Sequence, residues 1–173
     1  GTFEQGQAVD TDVDALAVEV GDFDGDERPD LVISRPNAAT VVVAFGNGDG
    51  TFGDQQSLTL PGGGRAFTVR AGDVTRDGVD DLIVSDPDVG RVVVYDGLPQ
   101  GYFGFSFCEL RVGSGPSACS LGDLSGDGLP DIVVSAVEGN RIVLIPPSST
   151  LVGKATPFHA ALPGELSLPF LRE

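Results

Sequence analysis

The chain has 173 residues, of which 40% are apolar and 21% are charged, so it is too apolar for a disordered tail and too short for two ordinary domains. Twenty-six acidic residues against ten basic ones give a formal net charge of −16, which opposes binding to nucleic acid and to anionic membrane surfaces. No apolar run approaches the roughly 20 residues that cross a bilayer, and the lack of any methionine predicts a processed product or a piece of a longer protein.

A repeat of about 50 residues organises the sequence. Three segments, starting at residues 18, 69 and 119, align without a gap and read VEVGDFDGDERPDLVIS, VRAGDVTRDGVDDLIVS and CSLGDLSGDGLPDIVVS. A second marker, GTF or GYF, starts at residues 1, 50 and 101 in the same register. The repeats therefore divide the chain into residues 1–49, 50–100 and 101–147, and residues 148–173 match no repeat.

Within each repeat, short β-branched runs are separated by Gly, Asp, Asn and Pro, which predicts strands and turns rather than helices. In the first repeat we expect strands over residues 15–20, 30–34, 40–45 and 55–60, with equivalents in the other two. The predicted fold class is all-β, a β-propeller-like array of four-stranded antiparallel blades. A β-sandwich with coincidental spacing is the alternative.

The ends of the chain leave the predicted array incomplete, because propellers close with about four to eight blades. Residues 1–9 correspond to the fourth strand of a preceding blade, and residues 148–173 are expected to form a linker and one or two further strands. The ends combine into a reduced blade, or the missing blades lie in further sequence, or a neighbouring subunit supplies strands. The last possibility is a head-to-tail assembly through unpaired strand edges, which we adopt as a hypothesis.

Each repeat carries an acidic loop of nine positions between its first two predicted strands. Oxygen-bearing side chains occupy positions 1, 3, 5 and 9, namely Asp22, Asp24, Asp26 and Asp30, then Asp73, Thr75, Asp77 and Asp81, then Asp123, Ser125, Asp127 and Asp131. The backbone carbonyl of position 7 adds an oxygen, from Arg28, Val79 and Leu129 respectively. Such oxygen-rich loops suit the 6 to 8 ligands of Ca²⁺ better than the strict octahedron of Mg²⁺, so three Ca²⁺ sites are predicted.

The three loops differ in charge and in one turn position. The first loop offers four carboxylates and the others three plus a hydroxyl, which predicts the tightest binding at the first loop. Position 6, where a sharp turn favours glycine, is Gly78 or Gly128 in the later loops but Glu27 in the first, where strain is expected. An EF-hand is excluded because position 12 is apolar and no helices flank the loops. Ordinary acidic turns without a cation are the alternative.

These loops, the GDF, GDV and GDL segments that begin them and the GNGDGTF stretch at residues 46–52 resemble FG-GAP and VCBS-type repeats. Such repeats are the calcium-bearing blades of integrin α-subunit propellers and of many secreted bacterial proteins. The resemblance covers about residues 1–147 and implies that the side chains named above are calcium ligands. A literal Gly-Ala-Pro motif is absent, so the closer likeness is to VCBS-type blades.

The predicted function is a non-enzymatic, calcium-stabilised structural or adhesion module. It is expected outside the cell or on its surface, where millimolar calcium is available. The expected partner is a second copy of the chain, another extracellular protein or a glycan, with neither nucleic acid nor membrane insertion. A lectin-like propeller and the propeller portion of a larger secreted protein are the alternatives. His159 is the only histidine, so Ser-His-Asp chemistry has no recognisable carrier.

The chain also contains two cysteines and a run of three glycines. Cys108 and Cys119 form an even pair that suits an oxidising compartment, and a disulfide between them is favoured over two buried free thiols. The stretch at residues 62–64 is Gly-Gly-Gly, which lacks the strand-to-helix context of a phosphate-binding loop and predicts a flexible turn.

Overall fold

The computed structural model describes residues 14–35, 37–99, 101, 103 and 107–146. Their strands form three antiparallel sheets in chain order. The first sheet contains β1 (Ala17–Gly21), β2 (Asp30–Ser34), β3 (Thr40–Gly46) and β4 (Phe52–Thr59). The second contains β5 (Thr68–Gly72), β6 (Asp81–Asp86), β7 (Arg91–Tyr95) and β8 (Phe107–Arg111). The third contains β9 (Pro116–Gly122), β10 (Asp131–Ala136) and β11 (Arg141–Ile145), with a short 3-10 helix at Val137–Gly139 before β11.

Each sheet is a meander in which consecutive strands pair. The first two sheets have four strands, and in the described part of the chain the third has three, in the order β11-β10-β9. The all-β class and the blade-like antiparallel sheets predicted from the sequence are therefore confirmed. The end strands expected over residues 1–9 and 148–173, and His159, lie outside the described residues.

The sheets pack face to face, and an apolar core lies between each pair of successive sheets. One core lies between the first and second sheets and includes Phe23, Val32, Val43, Val69 and Leu82. The other lies between the second and third sheets and includes Val74, Ile83, Val92, Ile132 and Val134. The second sheet is thus covered on both faces, which explains why β6 and β7 are buried along their whole length.

The first strands of the sheets, β1, β5 and β9, are neighbours in that order. In each of them a glycine ends the strand and an acidic loop follows, so the three loops begin at the same end of three adjacent strands. This arrangement, four-stranded meanders stacked around their inner strands, is that of propeller blades.

The disulfide favoured by the sequence is absent, because Cys108 and Cys119 are both free thiols. The Sγ atom of Cys119 lies 3.4 Å from the hydroxyl of Thr68 on β5. Cys108 lies on β8, three strands from β5 across the second sheet, which is about 14 Å at the usual strand spacing. That separation exceeds the reach of a disulfide. Burial raises the pKa of both thiols.

The turn at residues 62–64 is held in place by the buried Arg91–Asp86 ion pair. The sequence predicted a flexible turn and gave no sign of this contact. The Arg91 guanidinium donates to the carbonyl oxygens of Pro61 and Gly63 at 2.6 and 2.7 Å. The same guanidinium lies 2.9 Å from a carboxylate oxygen of each of Asp86 and Glu109. The turn that joins the first sheet to the second is thereby fixed to β6, β7 and β8.

Candidate metal centres

The acidic loops have one hydrogen-bond pattern, repeated three times. At position 1, the carboxylates of Asp22, Asp73 and Asp123 accept from the backbone N–H groups of positions 4, 5 and 6. The donor-acceptor distances are 2.8, 3.1 and 2.8 Å in the first loop. They are 2.6, 3.2 and 3.0 Å in the second and 2.7, 3.2 and 2.9 Å in the third. The local sequence therefore curls each loop around its first carboxylate.

Position 5 continues the curl in every loop. Its carboxylate, on Asp26, Asp77 or Asp127, accepts from the N–H of position 7 at 2.9 to 3.0 Å. The contribution of the position 7 carbonyl to a metal stays a prediction. In the first loop the Arg28 side chain also donates to Asp26, which lowers the pKa of Asp26. One of the four carboxylates predicted for this loop is thus engaged by a cationic side chain.

Position 9 anchors each loop to its sheet. Asp30, Asp81 and Asp131 are buried at the first residue of β2, β6 and β10. In all three loops the Oδ2 atom accepts from the backbone N–H of position 2, at 2.8, 2.8 and 2.7 Å. The sequence predicted these aspartates as metal ligands and did not indicate that they are buried; their role as ligands stays a prediction.

The other oxygen of the position 9 carboxylate distinguishes the third loop. The Oδ1 atoms of Asp30 and Asp81 accept from the N–H groups of Gly46 and Gly97, each sixteen residues further on, at 2.8 and 3.1 Å. The Oδ1 atom of Asp131 is buried and has no hydrogen-bond partner among the described residues. The residue sixteen positions after it is Pro147, which carries no N–H group.

Three carboxylates converge in the first loop. Ligand oxygens of Asp22, Asp24 and Asp30 all lie within 4.8 Å of one another. Asp26 is outside this group, and the described residues of the second and third loops contain no such set of three acidic, histidine or cysteine side chains. The structure thus assembles three of the four side chains predicted for the first site. Hydroxyls at Thr75 and Ser125 replace one carboxylate in each of the other two loops.

Burial disfavours ionisation of three of the loop carboxylates, those of Asp24, Asp30 and Asp81. Desolvation is the largest cause of the raised pKa of Asp30, and in Asp24 the nearby charge of Asp30 adds to it. Desolvation raises the pKa of Asp81 to about 7. A cation beside these groups would favour their charged forms and reverse the direction of these shifts.

Two aspartates that the ligand pattern did not indicate interact with the acidic loops. Asp96, immediately after β7, has its pKa raised by burial and by the charge of Asp77, and it interacts with the side chains of Asp81 and Thr75. Asp80 at position 8 bridges two loops, since its carboxylate accepts from the Asp22 N–H at 3.0 Å and its own N–H donates to the Asp22 carbonyl at 2.9 Å. Neither contact has a local sequence signal, because each depends on how strands and sheets pack.

Two positions in each loop have a left-handed backbone. At position 6, φ is +64° at Glu27, which confirms the expected strained conformation, and it is also positive at Gly78 and Gly128. At position 4, φ is +73° at Gly25, +69° at Arg76 and +79° at Gly126. The third loop alone has glycine at both positions. The sequence analysis did not predict the left-handed backbone at position 4. The only sequence signal for it is the glycine at this position in the first and third loops.

The donor set fits a hard divalent cation. Each loop presents only oxygen atoms at positions 1, 3, 5 and 9, as Ca²⁺ prefers. The first loop clusters three carboxylates, and in the third loop a buried carboxylate oxygen of Asp131 finds no partner within the described part of the chain, which is costly without compensation. Bound calcium would supply positive charge to these groups, and the backbone hydrogen bonds described above hold the loops curled for it.

Stacked antiparallel meanders, each with an acidic loop between its first two strands, define a β-repeat protein with propeller-like blades. The family model for the FG-GAP-like repeat matches residues 22–84 and, in a second copy, residues 76–134, and the chain belongs to this family. Each match starts at or within one acidic loop and ends just past the next one, in β6 and in β10 respectively. No curated protein matched the chain. Among the described residues there is no helix with the length and apolar character needed to span a membrane.

Proposed function

We propose that the chain is a non-enzymatic, extracellular structural or adhesion module whose sheets are clamped by calcium. The observation that supports it most is the threefold recurrence of one loop geometry at the start of β2, β6 and β10. In every copy the buried aspartate of position 9 joins the loop to the sheet. FG-GAP-like repeats are typical of extracellular proteins.

The clamp follows from electrostatics. Like charges 4 Å apart repel by about 1 kcal/mol in water and by about 4 kcal/mol at an effective dielectric constant of 20. Cations in the three loops would remove this repulsion and bring the formal net charge of −16 to about −10. A ligand that binds only the folded state stabilises it by about 2.7 kcal/mol at a hundredfold excess over Kd. Each loop is therefore expected to raise the melting temperature by about 5 to 10 °C in excess calcium.

The test is thermal unfolding of the chain in excess calcium, in excess magnesium and in chelator. We expect a clear rise in Tm with calcium and a smaller one with magnesium. Asp127→Asn removes one loop charge but keeps an oxygen that can accept from the Leu129 N–H, so it should lose about one third of the calcium effect. Asp54→Asn, on the exposed surface of β4, is the matched control and should retain the full effect. Equal Tm values in calcium and chelator would refute the clamp.

A further inference from the structure

Position 8 of the acidic loops differs between the repeats. It is Pro29 in the first loop and Pro130 in the third, but Asp80 in the second. Asp80 stands between the position 7 carbonyl of Val79 and the position 9 carboxylate of Asp81, both of which are predicted calcium ligands. Proline has neither a side-chain acceptor nor a backbone N–H group, so only the second loop can use this position for both kinds of hydrogen bond.

Asp80 uses both of these groups on one residue of the first loop. Its carboxylate accepts from the backbone N–H of Asp22 at 3.0 Å, and its own N–H donates to the Asp22 carbonyl at 2.9 Å. We call this pair of hydrogen bonds the Asp80 bridge. Asp22 is position 1 of the first loop, and its carboxylate accepts the N–H groups that hold that loop curled. The equivalent bridge from the third loop would join Pro130 to Asp73, and proline provides neither its donor nor its side-chain acceptor.

The first two loops also pack closely around this bridge. A β-carbon on Gly21, which precedes Asp22, would lie 2.9 Å from a carboxylate oxygen of Asp80, so glycine leaves the room that the bridge needs. A β-carbon on Gly25, at position 4 of the first loop, would lie 3.2 Å from a methyl carbon of Val79, whose side chain is buried. The second loop therefore contacts the first both through hydrogen bonds and through apolar packing.

We propose that Asp80 is a positioning residue that makes the first and second loops bind calcium cooperatively, while the third loop lacks this link. The proposal rests on the calcium clamp and adds a form of regulation to it. When the second loop holds calcium, the backbone on both sides of Asp80 is fixed, and the Asp80 bridge extends that order to Asp22. The first loop then loses less conformational freedom on binding, so its affinity rises. By linkage, an occupied first loop favours binding at the second to the same degree.

The glycines of the loops provide a separate reporter for each site. The N–H groups of Gly25, Gly78 and Gly128 donate to the position 1 carboxylates of their own loops at 2.8, 3.0 and 2.9 Å. Their amide signals in nitrogen-proton NMR spectra should therefore shift when calcium binds beside those carboxylates. A titration of the metal-free 173-residue chain with calcium then gives a half-saturation concentration for each loop.

Impairing one loop at a time measures the coupling. Asp77→Asn removes a charge from the second loop but keeps an oxygen that can accept from the Val79 N–H. It should raise the half-saturation concentration at Gly25 by at least about fivefold, the lower end of usual coupling between sites. Asp127→Asn makes the same change in the third loop and should leave the value at Gly25 nearly unchanged. A value at Gly25 that Asp77→Asn leaves unchanged or lowers would overturn the proposal.

Substitutions at Asp80 separate the bridge from the effect of charge. Asp80→Pro introduces the residue that the other two loops have at this position and deletes both hydrogen bonds, so Asp77→Asn should no longer affect Gly25 in this background. Asp80→Ala deletes only the carboxylate and should weaken the coupling in part. Asp80→Asn loses the same charge but retains an acceptor and the backbone N–H, so the coupling should persist. Full coupling in Asp80→Pro would refute the role of the bridge.

The outcome for the coupling is separable from the outcome for the calcium clamp. Three loops that bind calcium independently, with a Tm that rises, would remove the coupling and leave the clamp intact. Loop glycines that do not shift with calcium, together with an unchanged Tm, would overturn both.

Discussion

Removing calcium is expected to make the stability of the chain fall as pH rises, and Asp81 is the main reason. Its carboxyl is fully buried, and burial raises its pKa to about 7, whereas an unfolded aspartate titrates near 3.9. Between these values the folded state holds a proton that the unfolded state has released. The stabilisation is therefore complete below about pH 4 and is lost as pH rises through about 7.

The magnitude follows from the size of the shift. A difference of one pKa unit corresponds to about 1.4 kcal/mol, so a shift of about three units is worth up to about 4 kcal/mol. The pKa values of Asp24, Asp30 and Asp96 are raised as well, with burial as the largest cause in each. In the metal-free chain these three groups should therefore also make the free energy of unfolding fall as pH rises.

Urea unfolding of the metal-free chain at pH 5, 6, 7 and 8 measures the effect. The free energy of unfolding should fall from pH 5 to pH 7 and then level off. Asp81→Asn cannot titrate and should flatten most of this slope, whereas Asp54→Asn on β4 should leave it unchanged. In saturating calcium the slope should change sign, because protons compete with the cation for the carboxylates. A free energy that stays flat or rises with pH in the metal-free chain would refute the reasoning.

Three substitutions test individual contacts by urea unfolding. Glu27→Gly relieves a left-handed non-glycine residue and should stabilise the chain by up to about 1 kcal/mol, and a loss of stability would contradict the strain. Gly97→Ala forces a methyl group onto the Asp80 carbonyl oxygen and disturbs the N–H bond to Asp81, so a loss well above 1 kcal/mol is expected and a neutral result would be inconsistent with this packing. Arg91→Met leaves the buried Asp86 carboxylate and two backbone carbonyls without their donor, so it should lower the free energy of unfolding by about 3 to 5 kcal/mol. The exposed Arg111→Met is the control and should lower it by less than about 0.5 kcal/mol.

Local pattern was enough to predict the sheets and the loops. The alternation of β-branched runs with Gly, Asp and Pro predicted strand 30–34 to the residue, and β1, β3 and β4 were shifted by one to three residues at their ends. The spacing of aspartates located the three loops, each of which joins the first two strands of its sheet. These features depend on neighbouring residues, and the threefold repeat made each of them visible three times.

Contacts between distant segments were not predictable in the same way. The Asp80 bridge joins residues 58 apart, and the hold of Arg91 on the Gly63 carbonyl spans 28. Both require knowledge of which strands are neighbours. The cysteine pair fails for the same reason: their closeness in sequence suggested a disulfide, but the sheet geometry separates them. Asp26 was assigned to the first site as position 5 of the ligand pattern, yet the nearby Arg28 competes for its carboxylate.

The position of the second sheet between two cores has a consequence for how the chain opens. Because the described sheets pack on one another in chain order, stability is distributed along the stack as in other repeat arrays, and unfolding is expected to start at the outer layers. Amide protons of β6 and β7 should therefore exchange with solvent deuterium most slowly, and those of β1 and β11 fastest. Proteases should accordingly shorten the stack from its two ends and spare the middle layer longest.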